Sequence, residues 1–134
     1  MKPLKVVARY ADGRITKGHT QDFLPINPSF HVHPFDPGTS MDAVDISVKD
    51  LKALFFVRDF LGDPNYHAQK GFFEGGKTPG KLVEVTFKDG ELIAGSTLSY
   101  DPERPGFFLS PADTKGNNLG IFVVFQAVSK VRYL

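Results

Sequence analysis

Val83-Glu84-Val85-Thr86-Phe87-Lys88-Asp89-Gly90-Glu91-Leu92-Ile93-Ala94-Gly95-Ser96-Thr97 is a stretch the chain writes twice. Its earlier version is Val6-Val7-Ala8-Arg9-Tyr10-Ala11-Asp12-Gly13-Arg14-Ile15-Thr16-Lys17-Gly18-His19-Thr20. Asp12-Gly13 falls on Asp89-Gly90, Gly18 on Gly95 and Thr20 on Thr97, each 77 positions apart. The same spacing runs to the last residue. Phe23 meets Tyr100, Pro25 meets Pro102, Pro28 meets Pro105, Phe30 meets Phe107 and Pro34 meets Pro111. Val44, Ile46 and Val48 meet Ile121, Val123 and Phe125, and Leu51, Leu54, Phe56 and Val57 meet Val128, Val131, Tyr133 and Leu134. A full register of turn residues, prolines and apolar positions predicts one module present twice, over residues 4–57 and 81–134.

The chain has 134 residues, so each copy approaches the size at which a module buries too little surface to fold alone. The copies are therefore expected to share a core or an interface. An apolar content of 41% and a formal charge of +1 describe a soluble globular protein rather than a disordered or nucleic-acid-coating one. With no cysteine, thiol catalysis, disulfides and cysteine-ligated metal centres are excluded. Lys2 and Lys5 precede a short apolar run broken at once by Arg9 and Asp12, which is not a signal peptide. No run is long enough to span a membrane. The expectation is a cytoplasmic protein without membrane contact.

Leu4 to Tyr10 and Ile15 to Phe23 are β-branched and aromatic runs around Asp12-Gly13, a hairpin signal because the tight turn needs positive φ. Gly18 inside the return strand marks a bend or bulge. After the Leu24-Pro25-Ile26-Asn27-Pro28 turn, Phe30 to His33 is a third strand. Val44 to Val48 alternates as a fourth, Lys49-Asp50 makes a corner, and Leu51 to Val57 is the fifth. The second copy repeats this plan. The domain reading is a first module over 1–57, a Gly-rich connector over 58–80 and a second module over 81–134. In the connector Asp63-Pro64 could cap a short helix running towards Lys70.

His31 and His33 leave the same face of one strand, with His19 as a conceivable third partner for a metal. Neither a carboxylate nor a fourth ligand follows at a recognisable spacing, and the second copy has Phe108 and Ser110 there, so no metal is expected. Asp12 and Asp89 read as turn residues, Glu84 and Glu91 as solvent-facing strand positions. No serine elbow, phosphate-cradling glycine loop or metalloprotease helix is present. The reading is a protein without catalytic residues or cofactor. Candidate binding residues are His31 and His33, Asn117 and Asn118 in a polar loop, and two turn residues named below.

A strand, Asp-Gly, a return strand with Gly and an aromatic five residues later resembles the first motif of Sm-like proteins. The second copy carries it as Asp89-Gly90, Gly95, Tyr100-Asp101 and Phe108-Leu109, the first as Asp12-Gly13, Gly18 and Phe23. The resemblance implies an all-β fold of two tandem five-stranded, strongly bent Sm-like or SH3-like barrels. For the family's RNA-contacting loop it implies Asn27 and Arg104; the family's second-motif basic pair is replaced by Lys49-Asp50 and Gln126-Ala127. The tandem arrangement also resembles an uncharacterised bacterial family. Asp45-Ile46-Ser47-Val48-Lys49-Asp50 is similar to a motif of PilZ signalling domains, which implies a degenerate relative of that family as a third reading. The expected function is binding of another macromolecule: first a protein, as adaptor or regulator, and second RNA. Homo-oligomers through exposed strand edges are a further expectation.

Overall fold

A computed structural model of the chain describes residues 4–34, 43–57, 81–97, 103–111 and 118–133, with the side chains of 118 and 119 left aside. The connector at 58–80, with the helix expected in it, and Asn117 lie outside these residues.

The two Asp-Gly turns set the local structure. Gly13 and Gly90 have φ of 99° and 95°, which a side chain would strain. Each turn joins two strands: β1 (Leu4–Tyr10) to β2 (Ile15–Thr20), and β6 (Lys81–Phe87) to β7 (Leu92–Thr97). β3 (Ser29–Pro34), β4 (Val44–Ser47) and β5 (Leu51–Val57) follow the first hairpin. β8 (Gly106–Pro111), β9 (Asn118–Val124) and β10 (Val128–Tyr133) follow the second. The corners expected after β4 and β9 are single 3-10 turns, Val48–Asp50 and Phe125–Ala127.

All described pairings are antiparallel, and the strands form one sheet in the order β10-β6-β7-β8-β9-β5-β1-β2-β3-β4. The all-β expectation and the five strands on each side of the connector are met. Two separate closed barrels are not what the ladder forms. It is one open sheet, because β5 pairs with β9 and carries the hydrogen bonding across the middle.

The strand order β5-β1-β2-β3-β4 recurs as β10-β6-β7-β8-β9, and local bonds recur with it. Tyr10 N–H donates to Arg14 O at 2.9 Å and Phe87 N–H to Glu91 O at 2.8 Å. Ala11 N–H donates to Asp50 O at 3.0 Å and Lys88 N–H to Ala127 O at 2.8 Å, tying each hairpin turn to a 3-10 turn. A methyl group at Gly18 would collide with the backbone carbonyl of His33, and one at Gly95 with that of Ser110. The ladder keeps its register through both glycines. They provide room for a crossing backbone, and no residue is inserted as in a bulge.

Two buried clusters lie on opposite faces of the central seam. One holds Val6, Ala8, Phe30, Val32, Ile46, Val48, Leu51 and Leu54 of the first half, and takes in Phe122 and Val124 from β9. The other holds Val83, Val85, Phe87, Phe107, Leu109, Ile121, Val123 and Ala127 of the second half, and takes in Val7, Ala53, Phe55 and Val57. Alternation explains the exchange. On β5 Leu54 faces one cluster while Ala53 and Phe55 face the other; on β9 Phe122 and Val123 divide likewise. A fully buried Phe or Val contributes about 1.5–3 kcal/mol, so each half draws much of its burial from its neighbour. β4 and β9 are well separated in the sheet order, yet Ile46, Val48 and Val124 share one cluster. The sheet therefore curls back on itself.

Candidate binding cleft

That curl opens a cleft of about 540 Å³ between the halves. Two backbone bonds shape its walls: Val48 N–H donates to Pro28 O at 2.9 Å, and Phe125 N–H to Pro105 O at 3.0 Å. Each pins the residue before β3 or β8 to the 3-10 turn of its own half. Corresponding positions of the two halves consequently line the same opening: Pro28 and Pro105, Val48 and Phe125, Lys49 and Gln126. Buried Val48 and Val124 and half-buried Phe125 supply apolar surface. Lys49, Arg104, Asp45, Ser29, Ser47 and Gln126 supply the polar groups. Lys49 and Arg104 bring positive charge to the lining and Asp45 negative, and the volume lies in the range of small-ligand pockets.

Of the residues singled out from the sequence, Arg104 lines the cleft. Asn27 closes the neighbouring turn, its N–H donating to Leu24 O at 3.1 Å, with its side chain half-buried. His31 lies one strand pair away, opposite Asp45. Its Nδ1 is 2.7 Å from Asp22 Oδ2, and its backbone N–H donates to Asp22 Oδ1 at 2.9 Å. The Asp22 contact raises the His31 pKa above the ordinary histidine value, against a smaller opposing effect of burial. Asp22 itself feels some burial, but the bonds from His31 and Thr20 outweigh it and its pKa is lowered. His33 stands opposite His19 on exposed strand surface, away from the cleft. Among the described residues no cluster of three or more potential metal ligands forms. Asn118 pairs through its backbone with Val57 at the seam.

Sequence reasoning passed over Lys52. Its side chain is only 11% exposed, with Nζ 2.8 Å from Asp89 Oδ2, 2.5 Å from Glu91 Oε1 and 4.7 Å from the centre of the Phe87 ring. Burial opposes its charge, yet the two carboxylates raise its pKa, and Lys52 in turn lowers that of Asp89. Glu91 and Glu84 are thus not plain solvent-facing positions: Glu91 meets Lys52, and Glu84 meets Arg132 at 2.9 Å. The available signal was a single lysine in the apolar run Leu51–Val57, where the residue 77 positions on is Ser129.

Phe108, counterpart of His31, packs on Phe122 at 5.2 Å, Phe56 at 6.0 Å and Phe23 at 6.1 Å between ring centroids. Phe108 lies on β8 beside the seam strand β9, whereas His31 lies on β3 beside the outer strand β4. Among the described residues no helix is long and apolar enough to cross a membrane.

No curated protein and no solved structure matches the chain. Residues 2–134 match the model of a family described as a family of unknown function, DUF6982, and the protein belongs to that family.

Proposed function

We propose that the protein is a non-catalytic binding module built by tandem duplication of one five-stranded, Sm-like unit, and that the cleft between the halves is its binding site. The observation that carries this reading is the cleft itself, where Lys49 and Arg104 stand over apolar surface from both halves. The recurring strand order and turn bonds support the duplication. The favoured ligand is an extended segment of a partner protein, with an acidic side chain held by Lys49 and Arg104 and an apolar neighbour against Phe125 and the two prolines. Asp45 on the same wall favours a ligand with one or two negative charges over a continuous phosphate backbone. A regulatory or adaptor role in the cytoplasm follows from this reading.

RNA is the second reading, favoured by Arg104, Lys49 and the Phe125 ring lining one cleft. The two are separated by titrating isotope-labelled protein with acidic-apolar peptides and with single-stranded RNA at low and moderate salt. Peptide-induced shifts at Ser47, Lys49, Arg104 and Gln126 that vanish in Arg104→Ala support the protein-ligand reading. Tight RNA binding that weakens steeply with salt transfers the assignment to RNA. Shifts confined to other surfaces for every ligand remove the cleft from consideration.

A further inference from the structure

The outer strands of the sheet, β4 and β10, occupy the same places in their halves as β9 and β5, the two strands that meet at the seam. By backbone geometry alone, β10 of one molecule could join β4 of another just as β5 joins β9, and the process could repeat without end. The side chains differ at most of the corresponding positions. Val7, Ala53, Phe55 and Val57 pack across the seam into the second cluster; the counterparts of the first three on the β10 side are Glu84, Lys130 and Arg132, while that of Val57 is Leu134. Phe122 and Val124 pack across it into the first cluster; their counterparts on β4 are Asp45 and Ser47.

The seam register pairs Ala53 with Val123 and Leu54 with Phe122. Copied to the outer edges, it would set Lys130 against Ile46, Arg132 against Val44 and Asp45 against Val131. Neighbouring strand residues point to opposite faces, so Asp45 would stand on the face away from Lys130 and Arg132 and could not neutralise them. Each charge would instead be pressed onto an apolar cluster. In the single chain these groups stay hydrated or locally paired: Arg132 with Glu84 at 2.9 Å, and Asp45 near His31 Nε2 at 4.0 Å. Charged residues on exposed strands are a known means of preventing edge-to-edge association.

We infer that these replacements terminate the sheet: the junction used once inside the chain is disabled at both outer edges, and the sheet of the described residues stops at ten strands. The inference rests on the tandem reading and is independent of what the cleft binds. It is tested with two variants, Glu84→Val/Lys130→Ala/Arg132→Phe on the β10 side and Asp45→Phe/Ser47→Val on the β4 side. Light scattering coupled to size exclusion should give the wild type and each variant alone the 14.8 kDa mass of one chain. An equimolar mixture of the two variants should give twice that mass, because only the two altered edges are complementary. Folded variants, checked by circular dichroism, that stay monomeric when mixed would overturn the inference. A concentration series of the wild type needs no variant to fold, and association through β4 and β10, traced by amide-exchange protection of those strands, would overturn it as well.

Discussion

Lys52 on β5 bonds to Asp89 in the β6–β7 turn, joining the strand that ends the first half to the hairpin that begins the second. The corresponding positions make no such link. Ser129 Oγ donates to Thr86 O at 3.2 Å, and Asp12 pairs locally with Arg14 at 2.8 Å. Lys52→Ala removes a largely buried charge from two carboxylates and should lower stability by about 1–3 kcal/mol in urea unfolding. Lys52→Met should cost less, since it keeps the volume of the buried stem and loses only the ammonium group that meets the carboxylates and the Phe87 ring.

The same contact gives a pH dependence of definite sign. Asp89 has its pKa lowered chiefly by Lys52, so its contribution is present above the ordinary aspartate value and is lost as pH falls through the lowered one. Lys52 has its pKa raised, so its contribution is lost only as pH rises through that raised value. Acid unfolding followed by circular dichroism should therefore be less steep in Asp89→Asn than in the wild type. Alkaline unfolding should shift to lower pH in Lys52→Met.

Gly18→Ala and Gly95→Ala should each cost about 2–4 kcal/mol, because the added methyl meets a backbone carbonyl that cannot rotate away. Gly120→Ala meets nothing within 4 Å and should stay within about 0.5 kcal/mol of the wild type. Thermal melts of the three variants side by side check the contrast.

Phe122→Ala should be among the most damaging single changes, at about 3–5 kcal/mol. The ring is buried on the first half's cluster and meets Phe23 at 5.1 Å and Phe108 at 5.2 Å. Tyr133→Ala, on the outer edge and 50% exposed, should cost far less. Chemical denaturation of both variants measures the difference.

His31 should titrate above the ordinary histidine range in the wild type, and Asp22→Asn should bring the midpoint down. Because the folded pKa is raised, any stability from this pair is full below the ordinary histidine value and fades as pH rises through the raised one. Proton NMR of the imidazole in wild type and Asp22→Asn reads the shift directly.

Much of the fold was legible because local chemistry dictates it. Asp-Gly requires a tight turn, proline ends a strand, and alternation as in Val44–Val48 exposes one face of a sheet. The joining of β5 to β9 was harder to read, since pairing partners are not encoded within a strand. A trace of it was present: Leu51–Val57 is apolar almost without interruption, as a strand covered on both faces must be, whereas Val128–Tyr133 carries Lys130 and Arg132. The cleft was legible in part. The Lys49 and Gln126 turns stood out as unlike counterparts, and Arg104 came from the Sm-like resemblance. That they lie around one opening depends on how sharply the sheet curls, which no short motif specifies. His31 and Phe108 differ for a reason of position, one beside the outer strand β4 and the other beside the seam strand β9.

The exchange of side chains between the two clusters makes folding a joint event. Neither the chain up to Val57 nor the chain from Lys81 contains all the residues that fill its own cluster. Each piece made alone should remain largely unstructured, while the two mixed should assemble and regain amide-exchange protection together. A cut in the connector would leave the folded state standing on noncovalent contacts, and the intact molecule should melt in a single transition although its strand order recurs in two halves.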